Sequence, residues 1–188
     1  LAKRGVIGLA GIDTRALTRR IREQGMPNAA IAHHQKGEFD LDALIAKAQG
    51  WSGLLDLDLA KDVTAAQSYV VEEGLWVWPE GVPAVKKAAY DVVVLDYGVK
   101  RNILRSLGAI GARCHVLPAN ASFDDVMARK PDGVVLSNGP GDPAATGAYA
   151  AKTIRALVDA GVPTFGICLG HQMLGLAMGA KTVKMAQG

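Results

Sequence analysis

The amino-acid sequence predicts an α/β fold: a parallel sheet with helices on both faces, preceded by part of a smaller α/β domain. From residue 88 onward, short apolar runs alternate with amphipathic segments, which is typical of parallel sheets whose strands are buried on both faces. Before residue 88 the pattern is mixed, with segments of helical period but no regular alternation. We therefore expect a first domain with a linker over residues 1–87 and a second domain over residues 88–188.

Two helices and a strand are predicted for the first domain. Asp13 and Thr14 can cap a helix that runs to about Gln24, where Gly25 and Pro27 stop it. A short strand is predicted over residues 28–33, and a second helix is predicted over residues 40–49. Residues 51–83 lack a sustained period and are expected to be irregular. They lead to a linker at about residues 80–87.

Strands and helices alternate in the second domain. The predicted strands cover 91–95, 114–117, 133–136 and 163–167, and an apparent further strand covers 182–185. The predicted helices cover 100–107, 123–128, 148–160 and 170–178. Functional residues of such folds cluster in loops at the carboxyl ends of the strands. The loops expected to carry a site are therefore 96–101, 137–143 and 166–172.

Composition and charge exclude several classes of protein. Hydrophobic residues make up 49% and charged residues 21%, a balance that excludes a disordered chain. The apolar runs are too short to cross a bilayer and the first residues do not resemble a secretory leader, so no membrane role is expected. A net charge of +3, from 21 basic and 18 acidic residues, does not indicate a nucleic-acid partner. With Cys114 and Cys168 as the only cysteines, we expect no disulfide framework and a cytoplasmic location.

The segment around Cys168 carries the clearest chemistry. A strand runs into this cysteine and a helix follows it, with Gly166 and Gly170 two residues away on either side. This is the cysteine form of the nucleophile elbow, in which glycines permit a sharp turn between closely packed backbones. The start of the helix favours the thiolate, and the N–H of Leu169 is placed to donate to an oxyanion.

A glycine-rich loop follows the strand at 133–136. Residues 137–143 read Ser-Asn-Gly-Pro-Gly-Asp-Pro, and the two glycines allow backbone N–H groups to face outward. Parallel topology would bring this loop beside Cys168, where it could supply a second oxyanion donor or hold a substrate carboxylate. Cys114 has no comparable setting and is interpreted as a packing residue.

These motifs together resemble a known family. Gly-Ile-Cys-Leu-Gly-His-Gln, with Ser-Asn-Gly-Pro-Gly-Asp-Pro upstream, resembles the class I (triad) glutamine amidotransferases, and most closely the small subunits of carbamoyl phosphate synthetases. Residues 95–103 (Leu-Asp-Tyr-Gly-Val-Lys-Arg-Asn-Ile) support the resemblance. So do residues 11–19 (Gly-Ile-Asp-Thr-Arg-Ala-Leu-Thr-Arg), which match the N-terminal domain of those subunits. The resemblance spans nearly the whole chain and implies a flavodoxin-like amidotransferase domain.

The resemblance also implies roles for individual residues. Cys168 would attack the side-chain amide of L-glutamine, form a γ-glutamyl thioester and release ammonia. Gly139 and Leu169 would supply the oxyanion-hole N–H groups. Gly141 and Gln172 would help to position the glutamine.

Partners and cofactors follow from the same resemblance. The ammonia would pass to a carbamoyl phosphate synthetase large subunit, which uses it with bicarbonate and ATP and whose product serves arginine or pyrimidine synthesis. ATP and Mg would be used by that large subunit. This chain would bind no cofactor or metal, and its sequence contains no P-loop.

The chain also departs from the family pattern. The general base and its acidic partner are expected in a His-x-Glu/Asp-like element well beyond the elbow, whereas only 20 residues follow Cys168 in this chain. His171 belongs to the elbow motif and is interpreted as structural, and His33, His34 and His115 have no catalytic context. We therefore expect a fragment that is nearly or completely inactive alone.

Two alternatives remain open from the sequence. One is a class I amidotransferase with a different acceptor, of the anthranilate or aminodeoxychorismate type or one that supplies a nucleotide. The Asp-Pro after the glycine loop and the motif at 11–15 argue against it. The other is a non-catalytic flavodoxin-like scaffold domain, in which Cys168 would show no unusual reactivity.

Overall fold

The computed structural model describes residues 1–185, which form two compact units. The first comprises Leu1–Gly53 with residues 183–185, and the second comprises Leu54–Thr182. The domain boundary expected at residue 87 differs from this division, because residues 54–87 pack with the sheet of the second unit.

The first unit contains a short 3-10 helix and two α-helices: Ala2–Arg4, α1 (Thr14–Gln24) and α2 (Leu41–Gln49). Both α-helices confirm the sequence prediction. The side chains of Asp13 and Asp40 cap them by accepting backbone N–H groups three residues on, each at 2.9 Å. The strand predicted over 28–33 is wrong, because these residues pair with no other described segment and a strand needs a partner for its backbone groups.

The second unit is built on a five-stranded sheet in the order β1-β3-β2-β4-β5. The strands are β1 (Tyr69–Val71), β2 (Tyr90–Asp96), β3 (Ala112–Pro118), β4 (Gly133–Leu136) and β5 (Thr164–Gly166). The last four run parallel and each overlaps its predicted position. Their order is the flavodoxin-like one, in which the first parallel strand, β2, lies between the second and third.

The predicted α/β fold with a parallel sheet is confirmed for four of the strands, and one antiparallel edge strand makes the sheet mixed. β1 comes from the stretch expected to be irregular and pairs antiparallel with β3 at the sheet edge, Val71 opposite Cys114. With three residues it is too short to show the period of two that identifies a strand in a sequence.

Helices cover both faces of the sheet. They are α3 (Ala60–Val63), α4 (Arg101–Ala109), α5 (Phe123–Met127), α6 (Pro143–Asp159) and α7 (Leu169–Ala177). α6 begins five residues before its predicted start, because Asp142 caps it and Pro143 occupies its first turn, where a missing N–H costs nothing. The strand predicted over 182–185 is not formed.

The core divides into two layers according to the alternation along β2. Val93 and Leu95 face a cluster that contains Ile154 of α6 and Met173 of α7, whereas Val94 faces a cluster that contains Leu104 of α4. Fully buried strands of this kind explain the apolar runs in the sequence. Within residues 1–185, no helix has the length and apolarity that a membrane span requires.

Tyr97, just after β2, provides a test of this packing. Its side chain is completely buried, and its hydroxyl is without a hydrogen-bond partner among the described residues. Burial raises the pKa of Tyr97 above its usual value, with Tyr149 adding to the effect, so the phenol stays neutral. We expect Tyr97→Phe to raise the free energy of unfolding by about 1 kcal/mol, since a buried unsatisfied polar group is costly.

Urea denaturation of the two proteins measures this difference. The control is Tyr149→Phe. Tyr149 is 36% exposed and its hydroxyl lies 3.5 Å from Asp58 Oδ1, so that removal of this hydroxyl should bring no gain in stability. A loss of stability in Tyr97→Phe would show that the hydroxyl is satisfied after all.

Candidate active site

Cys168 occupies a strained turn between β5 and α7. Its backbone angles are φ 52° and ψ −110°, close to the second position of a type II′ turn, where glycine is strongly preferred. The Gly170 N–H donates to the Ile167 C=O at 3.0 Å and closes the turn. The Cys168 side chain is exposed at the carboxyl edge of the sheet. A non-glycine residue in this conformation indicates a functional constraint, as in a nucleophile elbow.

The two glycines beside Cys168 allow close backbone contacts. A Cβ atom at Gly166 would lie 2.6 Å from the backbone of His171, and one at Gly170 would lie 2.2 Å from the carbonyl oxygen of Leu136. Neither distance is compatible with a side chain. The Gly-x-Cys-x-Gly spacing is therefore required for the elbow to lie against the end of β4.

The glycine-rich loop lies directly beside the elbow. The Gly170 N–H also donates to the Ser137 C=O at 3.1 Å, and the Leu169 side chain lies so close that a Cβ at Gly139 would be 2.8 Å from its Cδ2. Among the described residues, none accepts a hydrogen bond from the N–H of Gly139 or Leu169. The structure thus brings together the two residues predicted to supply oxyanion donors, with both N–H groups available.

Gly141 and Gln172, the residues expected to position the substrate, belong to the glycine loop and to α7, the two elements that carry the oxyanion donors. Gly141 has φ 94° and belongs to the glycine loop, just before α6. Gln172 lies in the first turn of α7 with an exposed side chain, and its N–H donates to the Cys168 C=O at 3.0 Å. Their contact with glutamine stays a prediction.

Two further side chains hold the loops of the site, and the sequence patterns alone did not single them out. Asp96, which is 4% exposed, accepts N–H groups of Ala65, Gly98 and Val99 at 2.8–2.9 Å. Asn138 accepts the Lys100 N–H and donates to the Gly98 C=O, both at 3.1 Å. Their positions at the ends of β2 and β4 could have identified them from the sequence, because the residues that form a site in such folds lie at the carboxyl ends of the strands.

The ends of these strands meet at the topological switch point. β2 lies between β3 and β4, so the chain leaves the sheet in opposite directions on the two sides of β2. Ligands of open α/β folds bind in the crevice this produces. The loops after β2 and β4 join there through Asn138, and the Ser137 hydroxyl accepts the Tyr97 N–H at 2.9 Å.

The described residues do not supply a general base for Cys168. No histidine within residues 1–185 forms a hydrogen bond with its thiol; His34 accepts the Glu38 N–H at 3.1 Å and His115 pairs with Asp91 at 2.8 Å. His171 is exposed on α7. Over the same residues, His, Cys, Asp and Glu side chains form no cluster that could hold a metal ion. The expectation that the base lies further along the chain stays a prediction.

Cys114 has a contrasting environment. It lies completely buried in β3, and its S–H donates to the Leu104 C=O at 3.9 Å. Burial raises the pKa of the Cys114 thiol to about 11. A thiol with a raised pKa and no access to solvent is unreactive at neutral pH, so its role is packing.

Comparison with known families identifies two matching regions. Residues 93–188 match the model of glutamine amidotransferase class-I, and residues 1–31 match that of the carbamoyl-phosphate synthase small chain, CPSase domain. The first match covers slightly more than half of the chain and includes every predicted site residue. Residues 32–92 lie outside both matches.

Curated relatives are similar along the whole chain. The carbamoyl phosphate synthase small chain of Caulobacter vibrioides is 65% identical over 185 residues, which cover 98% of this chain and 48% of that protein. The proteins of the same name from Bradyrhizobium diazoefficiens and Brucella anthropi are 57% and 61% identical over 188 residues, which cover 48% and 46% of them. The chain therefore spans about half the length of the curated relatives it matches.

Selective alkylation tests the contrast between the two thiols. We expect iodoacetamide at neutral pH to modify Cys168 in the folded protein while Cys114 stays unmodified, because only Cys168 is exposed. Peptide mass spectrometry measures both sites, and unfolding in urea should make them equally reactive. Equal modification of the folded protein would contradict the burial of Cys114.

A pair of substitutions in α7 tests the close backbone contact. Gly170→Ala should lower the free energy of unfolding by about 2 kcal/mol, because its Cβ would strike the Leu136 carbonyl. Gly175→Ala is the matched control: its Cβ would have only an ordinary contact, 3.7 Å from Ala180. Replacing a glycine inside a helix in this way should raise stability by up to about 1 kcal/mol. Equal effects of the two substitutions would contradict the contact.

Proposed function

Because this chain belongs to the class I glutamine amidotransferase family, we propose that it is the glutamine-hydrolysing part of a carbamoyl phosphate synthase small chain. The observation that carries the proposal is the placement of an exposed Cys168 at a strained turn beside two available N–H donors, those of Gly139 and Leu169. The match of residues 1–31 to the small-chain domain and the names of the relatives favour this member of the family over those with other acceptors.

The reaction begins at the thiol of Cys168. Its thiolate attacks the side-chain carbonyl carbon of L-glutamine, and the carbonyl oxygen becomes an oxyanion that the Gly139 and Leu169 N–H groups stabilise. Collapse of this intermediate breaks the C–N bond, and the nitrogen takes a proton and leaves as ammonia. Water then hydrolyses the γ-glutamyl thioester to glutamate and restores the thiol.

The proton transfers require a general base, which the family resemblance places beyond residue 188. Without it, the elbow and the oxyanion donors are present but the thiol is not deprotonated efficiently. We expect the 188-residue chain to release little or no ammonia by itself.

Delivery of the ammonia completes the proposed function. A carbamoyl phosphate synthase large subunit receives it and uses bicarbonate and ATP with Mg to make carbamoyl phosphate. This chain itself needs no cofactor in that scheme. A cytoplasmic location fits both the substrates of the reaction and a free nucleophilic thiol.

Glutamine-dependent ammonia release tests the proposal. The chain extended to the full length of its relatives should release ammonia from glutamine, more rapidly with a large subunit present. The Cys168→Ser variant of the extended chain should lose at least about a thousandfold in kcat, because removal of a nucleophile leaves only residual catalysis. An inactive extended chain, with or without the large subunit, would instead support the scaffold interpretation.

A further inference from the structure

A short segment outside both family matches packs against the glycine loop. We call residues 56–59, Asp-Leu-Asp-Leu, the strap; they precede α3 in the second unit. The Leu57 C=O accepts the Asp142 N–H at 2.9 Å, and Asp142 Oδ2 accepts the Asp56 N–H at 3.0 Å. One residue of the loop therefore bonds to two consecutive residues of the strap.

Gly141 lies directly against the strap backbone. A Cβ at Gly141 would be 2.6 Å from the Leu57 carbonyl oxygen and 2.9 Å from the Leu59 nitrogen. Because neither the strap backbone nor a φ of 94° tolerates a side chain there, the conformation of Gly141 and the position of the strap depend on each other.

A second set of bonds anchors the strap to α6. Asp58 Oδ1 accepts the hydroxyl of Thr146 at 3.0 Å and that of Tyr149 at 3.5 Å, and Thr146 is completely buried. Asp56 has φ 60°, an unfavourable conformation for a residue other than glycine. Strain of this kind persists only where surrounding contacts hold the backbone in place.

The other end of the glycine loop is held by different contacts. Gly139 packs against the Tyr97 carbonyl, since a Cβ at Gly139 would lie 2.0 Å from the Tyr97 oxygen. Asn138 bonds to the backbone of Gly98 and Lys100. None of these residues belongs to the strap. The contacts that hold the oxyanion donor at Gly139 are thus different from those that hold the predicted substrate contact at Gly141.

We propose that the strap, acting through Asp142, is a positioning element that fixes Gly141 for glutamine binding. This inference rests on the proposed function, because it takes glutamine as the ligand of Gly141. Loss of the side-chain bond between Asp142 and the strap then weakens glutamine binding, while the oxyanion donor and the chemical step stay unaffected.

Asp142 also caps α6, and the experiment has to separate this role from its bond to the strap. Its Oδ1 accepts the Ala144 N–H at 2.8 Å and caps α6. Serine is an equally good cap but has a single oxygen. Asp142→Ser therefore keeps the cap and leaves the Asp56 N–H without its acceptor, whereas Asp142→Ala loses both side-chain bonds. The backbone bond from the Asp142 N–H to the Leu57 C=O remains in each variant.

The test compares steady-state glutamine hydrolysis by variants of the extended chain. Asp142→Ser should lose less thermal stability than Asp142→Ala, because it keeps the cap, and its kcat should stay within about twofold. Its KM should rise about threefold to tenfold, the effect of one hydrogen bond. Asp142→Ala should show the same rise in KM with reduced stability. A wild-type KM in Asp142→Ser, or an equal fall in kcat, would overturn the proposal.

The matched control is Ser122→Ala. Ser122 caps α5 by accepting the Asp125 N–H at 3.2 Å and has no bond to the strap or the glycine loop. Its loss should reduce stability, as in Asp142→Ala, without changing KM. A rise in KM in Ser122→Ala would show that lost stability alone explains the effect.

Calorimetric titration with glutamine separates this proposal from the proposed function. In a Cys168→Ser background, Asp142→Ser should weaken glutamine binding about threefold to tenfold, whether or not the wild-type protein releases ammonia. If ammonia release fails but this difference appears, the proposed function is wrong and the strap proposal stands. If the Cys168→Ser protein binds no glutamine, both are wrong.

Discussion

The contact between the elbow and the end of β4 is the constraint on which the rest of the site depends. Gly170 lies against the carbonyl of Leu136, and its N–H bonds to both Ile167 and Ser137. These contacts close the turn that exposes Cys168 and fix the start of α7 beside the glycine loop. The strain at Cys168 is tolerated because these contacts with the end of β4 hold the turn.

Polar side chains hold the loops that surround the elbow. Asp96 orders the loop after β2, Asn138 joins that loop to the glycine loop, and Asp142 joins the glycine loop to the strap. Each carboxylate or amide satisfies backbone N–H groups that irregular loops would otherwise leave without partners. These bonds orient the loops without a contribution from the substrate, as efficient electrostatic stabilisation requires.

Much of the sheet and of the elbow could be predicted from the sequence, because their signals are local. Buried parallel strands require apolar runs, and a backbone contact such as that of Gly166 requires glycine. β1 could not be predicted, because three residues are too few to show the period of a strand. The strap could not be predicted either, because its contacts are with loops far along the chain and leave no pattern in its own sequence. The strand expected over 28–33 is wrong for a related reason: an apolar run does not reveal whether a partner strand exists.

Detection of the covalent intermediate tests the central claim most directly. The extended chain would be mixed with glutamine, quenched in acid within its first turnovers and digested for mass spectrometry. The account predicts one glutamyl group on the peptide that contains Cys168, removable by hydroxylamine as a thioester should be, and none on Cys114. Glutamine turnover with the glutamyl group on another residue, or turnover that persists in Cys168→Ser, would contradict it.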